Sequence, residues 1–274
     1  MAASRQVIPG FHFTLGITFF YLSLILLLPL AAFLLYASGM GMTKFLEVVV
    51  DPRVFHAYEV SFGTSLAAAL INGVFGLLLA WVLVRYDFPG KRVLDGLIDL
   101  PFALPTAVAG IALTTLYAEN GWLGRFFYGL GIPSAFSVFG ITLALIFVGI
   151  PFVARSVQPV LKDLDPSLKE AAMLFGASPW LTFRRVVLPE LVSPLLTGFA
   201  LAFARGIGEY GSVVFIAGNL PYETEIAPLL IMAKLEQFDY QAAAAIAIVM
   251  MAMSFAILLV LNGYQRYRIK KQGV

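Results

Sequence analysis

Apolar residues along this chain do not alternate with polar ones at a strand period. They collect in six long runs, at about residues 13–36, 60–84, 96–117, 138–158, 191–217 and 241–263. A helix needs roughly 20 apolar residues to cross the ~30 Å hydrocarbon core of a bilayer, so the pattern predicts six transmembrane helices and an all-α membrane fold. Pro29 predicts a kink in the first run. That run is too long for the ~7–15 apolar residues of a signal peptide and only Arg5 precedes it, so it is expected to be retained as a helix. The third run carries Pro101 and Pro105 in DLPFALPTAVAG. Two prolines four apart disturb the helical ladder, and a broken helix in a membrane is tolerated mainly where it faces protein or a cavity. Residues 38–57 read as a short polar connection with Lys44, Glu47, Asp51 and Arg53, and RYDFPGKR (residues 85–92) as a tight loop.

The polar stretch Asp165 to Glu190, DPSLKEAAMLFGASPWLTFRRVVLPE, contains two helix starts. Asp165-Pro166 and Ser178-Pro179 each offer an N-cap followed by proline at the first helical position, where its missing N–H costs nothing. Gly176 between them can take the backbone angles of a sharp reversal, and Pro189 marks a break before the next run. Two short helices bent at a glycine are therefore expected outside the bilayer. The first carries Leu168, Ala171, Ala172 and Phe175 on one side, away from Lys169 and Glu170. The second sets Trp180, Leu181 and Phe183 beside Arg184 and Arg185. Apolar residues mixed with arginines outside the membrane suggest a docking surface for another protein.

Composition strengthens the membrane reading: 60% of residues are hydrophobic and 12% charged, against the usual ~25% charged. A net charge of +2, with no basic face interleaved by aromatics, argues against nucleic acid as a partner. Cysteine is absent, which excludes disulfides, thiolate metal sites and cysteine nucleophiles. His12 and His56 lie far apart beside no acidic cluster, so no metal site is expected. Thirteen basic residues fall on one side of the predicted spans: Arg5, Arg85, Lys91, Arg92, Arg155, Lys162, Lys169, Arg184, Arg185, Arg266, Arg268, Lys270 and Lys271. Only Lys44, Arg53, Arg125 and Lys234 fall on the other. This asymmetry places both termini and the 159–190 loop in the cytoplasm. The expected organisation is a cytoplasmic segment 1–12, one transmembrane domain 13–263 and a basic cytoplasmic tail 264–274.

Candidate chemistry is sparse. No G-x-x-x-x-G-K-[ST] loop occurs, so the chain has no phosphate-cradling loop of its own. Residues 206–211, GIGEYG, spell G-x-G-x-x-G, but within an apolar run rather than after a strand. Small residues at a helix crossing, or backbone lining a pathway, explain it better. The segment from Phe203 to Asn219 holds the charges deepest in any run. Arg205 is fourteen residues past Leu191, about 21 Å along a helix, and Glu209 falls one turn further on the same face. Three readings stand: Arg205 attracts an anion while Glu209 holds its orientation, the two form a structural pair, or the helix is shifted and Arg205 reaches the outer interface. Candidate pathway positions are Pro101, Pro105 and Thr106 in one segment with Arg205, Gly208, Glu209 and Gly211 in the other.

Glu170-Ala171-Ala172, Gly176, Val186 and Leu188-Pro189, at their spacing, resemble the EAA loop of ABC importer permeases, with valine where that family often has isoleucine. The strings RYDFPGKR, DLPFALPTAVAG, IPFVARSVQPVL, EAAMLFGASPW, VVLPEL, RGIGEYGSVVFIAGN and EQFDYQAA, in order, resemble the T subunits of bacterial sulfate/thiosulfate ABC importers over nearly all of residues 7–263. Molybdate permeases share a looser R-x-x-G-E-[FY]-G pattern, and the longer strings favour sulfate over molybdate or tungstate. The resemblance implies the type I importer permease fold in a bacterial inner membrane, without catalytic residues or a cofactor on this chain. It implies a second, homologous permease subunit, two copies of a cytoplasmic ATPase that carry ATP and Mg, and a periplasmic sulfate-binding protein. ATPase coupling would then fall to Glu170, Ala171, Ala172, Gly176, Ser178, Pro179, Trp180, Arg184, Leu188 and Pro189. A secondary transporter working alone and a membrane scaffold are the rival classes. ATP dependence of uptake separates the first, and an uptake defect on deletion the second.

Overall fold

A computed structural model describes residues 10–271. Arg5 lies outside them, as do the side chains of Pro166, Leu168, Lys169 and of the basic residues after Gln265. Among the described residues there are helices and connections but no strand. Five helices among the described residues are long and apolar enough to cross a membrane: Phe13–Ser38, Pro52–Arg85, Val138–Asp163, Pro179–Ile207 and Tyr240–Gln265.

The first span comprises α1 (Phe11–Leu22) and α2 (Leu28–Ser38), joined by a π turn at Ser23–Leu27. The polar connection expected at 38–57 instead holds a short helix α3 (Met42–Val49) and the start of α4 (Pro52–Arg85). Asp51 caps α4 by accepting from the Arg53 and Val54 amides, and Pro52 sits at N1. That cap sets the start of α4 eight residues before the apolar run begins.

The third predicted span is not one helix, which reduces the expected six long helices to five with a broken sixth. It is divided into α5 (Lys91–Ile98), α6 (Leu100–Ala103) and α7 (Thr106–Tyr117). Leu104 is extended, at φ −88° and ψ 137°, as a residue before proline prefers to be, and Pro105 ends the ladder there. At 12 residues α7 spans only ~18 Å. A small helix α8 (Gly124–Gly129) precedes α9 (Val138–Asp163), which Ser137 caps through the Gly140 amide.

The polar stretch holds α10 (Pro166–Leu174) and α11 (Pro179–Thr182), and here a second expectation fails. Pro189 does not separate α11 from the fifth span. Helix runs unbroken from Pro179 to Ile207 through a π turn at Phe183–Val187 into α12 (Leu188–Ile207). The Leu188 amide reaches back five residues to the Phe183 carbonyl. The wider turn accommodates a proline ring that would otherwise press on the carbonyl four residues earlier. Leu28-Pro29 follows the other π turn in the same way, with Leu28 bonded to the Ser23 carbonyl. The fifth span also ends earlier than expected, at Ile207, followed by a turn and α13 (Val213–Ile216). α14 (Ala227–Glu236) and α15 (Tyr240–Lys271) complete the chain.

The core is the three-helix packing of α4, α9 and α12. Glycines make it close. A Cβ on Gly198 of α12 would stand 2.6 Å from the Val153 Cα of α9, and one on Gly76 of α4 2.7 Å from the Val153 Cβ. In lipid, such small-residue contacts supply the packing that hydrophobicity alone does not. The first span, by contrast, is exposed along most of its length, and only its end at Ala37 is buried.

Candidate functional site

The chain presents two sites at opposite ends of the helix Pro179–Ile207. At its start, Asp165 caps α10 by accepting from the Ser167 amide at 2.9 Å, and that bond holds its carboxyl below the usual carboxylate range. α10 closes in a Schellman motif: the Ala177 amide bonds the Ala172 carbonyl at 3.0 Å and the Gly176 amide bonds Met173 at 2.9 Å. Gly176 has φ +74°, the left-handed region that favours glycine. Ser178 then starts α11 by accepting from the Leu181 amide. The turn leaves Leu174 and Phe175 88% and 92% exposed at its apex, with Trp180, Arg184 and Arg185 also exposed. Glu170 and Ala171 are exposed on α10, Ala172 is half-buried, and Leu188 and Pro189 are half-buried where α12 begins.

At the other end, α12 stops at Ile207, so Arg205 lies in its last turn and Glu209 lies beyond the helix. The expectation of two residues stacked on one helical face is therefore corrected: their contact closes the helix end. Arg205 Nη1 meets Glu209 Oε2 at 2.5 Å. Glu209 Oε1 accepts from both the amide and the hydroxyl of Ser212 at 2.9 Å. The carboxylate is 1% exposed, while the arginine side chain remains 37% exposed. Gly206, the neighbour of Arg205, packs on Ser65 of α4, twenty residues or ~30 Å along that helix from Arg85.

The two predicted pathway segments meet at this turn. A Cβ on Gly211 would overlap the Thr106 hydroxyl at the start of α7, and one on Gly110 would stand 2.5 Å from the Ser212 carbonyl. The break at Pro105 and the end of α12 thus form one packed unit. Gly208 faces open space and Pro105 is exposed, whereas Pro101 sits half-buried on α6, apart from the turn. G-x-G-x-x-G is here a helix end packed on Ser65 and Thr106, with no strand before it.

Residues 72–272 match the family described as "Binding-protein-dependent transport system inner membrane component". This chain belongs to that family. The sulfate transport system permease protein CysT of Salmonella typhimurium is 48% identical to this permease over 263 residues, covering 96% of this chain and 95% of its own. The protein of the same description from Synechocystis is 49% identical over 251 residues, covering 92% and 88%. Among solved structures, a chain of a bacterial alginate ABC transporter, in complex with an alginate pentasaccharide-bound periplasmic protein, superposes with TM-score 0.77 at 19% identity, covering 96% of each chain. A chain of the MetNI methionine ABC transporter does so with TM-score 0.56 at 16% identity, covering 80% of this chain and 99% of its own. The fold is thus that of ABC importer permeases.

Two ion clusters of this permease were not singled out by sequence reasoning. Arg155 of α9 donates through Nε and Nη2 to both oxygens of Asp99, at 2.8 and 2.6 Å, and through Nη1 to Asp95 and Gln158, each at 2.6 Å. This clasp ties α5 and the α5–α6 junction to α9 near the cytoplasmic side predicted by charge. On the other side, Arg53 forms a bidentate pair with buried Glu225, both bonds at 2.7 Å, and fastens the α13–α14 connection to α4. Arg155 and Arg53 entered the topology count as single charges. The i,i+4 spacing of Asp95 and Asp99 was the signal available for the first clasp, whereas nothing in the local pattern linked Arg53 to a residue 172 positions away.

Proposed function

We propose that this chain is a membrane-spanning permease subunit of an ATP-driven importer for sulfate or thiosulfate. The observation that carries the substrate class is the 48% identity to a sulfate transport permease along 96% of this chain, with 95% of that protein covered. On this reading a second, homologous permease completes the pathway, and two copies of a cytoplasmic ATPase bind ATP and Mg. A periplasmic binding protein selects the anion. The exposed Leu174–Phe175 apex, fixed by the left-handed Gly176, has the shape and apolarity of a plug for a cleft on that ATPase. Glu170, Ala171, Ala172, Ser178, Pro179, Trp180 and Arg184 frame the plug, and Leu188-Pro189 join it to the span. At the far end, Arg205 is a positioning residue for the turn whose Gly211 and Ser212 pack on Thr106 and Gly110, and this turn borders the anion's path. Both termini are cytoplasmic.

Mild-detergent purification of the tagged chain from native membranes, with mass spectrometry of what accompanies it, tests the assembly. An ATPase and a second six-span permease are expected, and Gly176→Asp should lose the ATPase while keeping the permease. A chain that emerges alone even after crosslinking would overturn the reading in favour of a solitary carrier. Uptake of labelled sulfate, competed by thiosulfate and not by molybdate, tests the substrate.

A further inference from the structure

Near the basic end of α4, the helix and the start of the Pro179–Ile207 helix enclose an apolar groove of about 370 Å³, lined by Leu77, Leu78, Trp81, Pro179, Trp180 and Phe183. Three rings form its wall: Phe183 stacks with Trp180 at 5.6 Å and meets Trp81 edge-on at 5.2 Å. Two further observations define what would fill it. The groove opens onto the exposed apolar stripe Leu70, Val74 and Leu78 of α4, a surface suited to hydrocarbon. One turn beyond, the exposed Arg85 guanidinium sits 5.7 Å from the Trp81 ring centroid, and among the described residues no carboxylate pairs with it.

An occupant must therefore be apolar where it meets the leucines and rings, continuous with the bilayer, and anionic where it meets Arg85. We propose that this groove is a binding site for an anionic phospholipid, with an acyl chain along Leu77, Leu78 and Phe183 and the phosphate headgroup at Arg85. Tryptophan at the headgroup level and arginine at a helix end favour that placement. The lipid would bridge α4 to the segment Pro179–Phe183 that leads out of the Gly176 turn, and so would brace it. Pro179 and Trp180 then serve both this groove and the frame of the Leu174–Phe175 apex, and the proposal does not depend on the transported anion.

The tryptophans make the test direct. The chain has three, Trp81, Trp122 and Trp180, so Trp122→Phe leaves only the two in the groove. The full-length variant is reconstituted in phosphatidylcholine vesicles containing small mole fractions of brominated phosphatidylglycerol or brominated phosphatidylcholine, and quenching of tryptophan fluorescence is followed. Brominated phosphatidylglycerol should quench at about fivefold lower mole fraction, the size expected for one arginine near a membrane surface. The preference should vanish in Arg85→Gln and shrink at high salt in the parent chain. Equal quenching by the two lipids would overturn the proposal, as would a preference that survives Arg85→Gln. No quenching by either lipid would show that no acyl chain enters the groove, and would also overturn it. Should Arg85→Gln fail to insert, the salt titration of the parent decides alone.

Discussion

Glu209 is a buried carboxylate whose every contact is local: Arg205 on one oxygen, the Ser212 amide and hydroxyl on the other. Removing Arg205 leaves that charge uncompensated in a dry site. Arg205→Ala should therefore lower the stability of the solubilised chain by roughly 3 kcal/mol, the low end for breaking a buried pair, because the guanidinium is 37% exposed. Adding Glu209→Gln should restore part of that loss, since a neutral amide oxygen still accepts from Ser212. Thermal unfolding in detergent, measured beside uptake, checks both. An Arg205→Ala chain that unfolds normally, loses uptake and is not rescued by Glu209→Gln would instead make Arg205 an anion contact. The residue identities at this turn were readable in the sequence. That Glu209 lay beyond the helix was not, because Gly206 and Gly208 in an apolar run are equally consistent with continued helix.

The same limit recurs for whole elements. The four runs with simple flanks, at 13–36, 60–84, 138–158 and 241–263, each correspond to a long helix, because a stretch of ~20 apolar residues has no other way to satisfy its backbone in lipid. Proline was the source of both larger discrepancies. In DLPFALP it broke the third span into pieces, and in VVLPE it broke nothing, because a π turn absorbed it. Sequence shows where a backbone N–H is missing but not whether the preceding turn widens to compensate. Glycine is more informative here, since Gly76, Gly149, Gly198 and Gly206 govern how closely α4, α9 and α12 approach. Gly198→Ala would press a methyl group to 2.6 Å from the Val153 backbone and should cost roughly 1–3 kcal/mol through overpacking. Gly208→Ala, with open space around it and φ −89°, should leave the melting temperature unchanged. Equal melting temperatures for the two variants would show that the α9–α12 contact yields freely.

At the scale of the molecule, the helix Pro179–Ile207 joins the two ends of the proposed mechanism. Its 29 residues extend ~43 Å, from the exposed Leu174–Phe175 apex to the turn packed on Thr106. A continuous helix transmits displacement along its length better than two helices joined by a loop, so the absence of a break at Pro189 has functional weight. The π turn is what makes continuity compatible with that proline, because it carries the one extra residue that keeps the ring off the upstream carbonyl. Deleting Arg185, which is exposed within the π turn, should return the segment to an α ladder, bring the ring of Pro189 against the carbonyl four residues earlier, and kink the helix. The coupling apex would remain intact and still dock, but its motion would no longer reach the outer turn. We expect this variant to co-purify with the ATPase and to retain basal ATP hydrolysis, while sulfate uptake falls at least about tenfold, the ratio produced by a 1.4 kcal/mol change. Pro189→Ala in the same background removes the clash and should recover uptake. Loss of the ATPase would mean that the π turn positions the apex instead, and undiminished uptake would mean that the helix is not the lever.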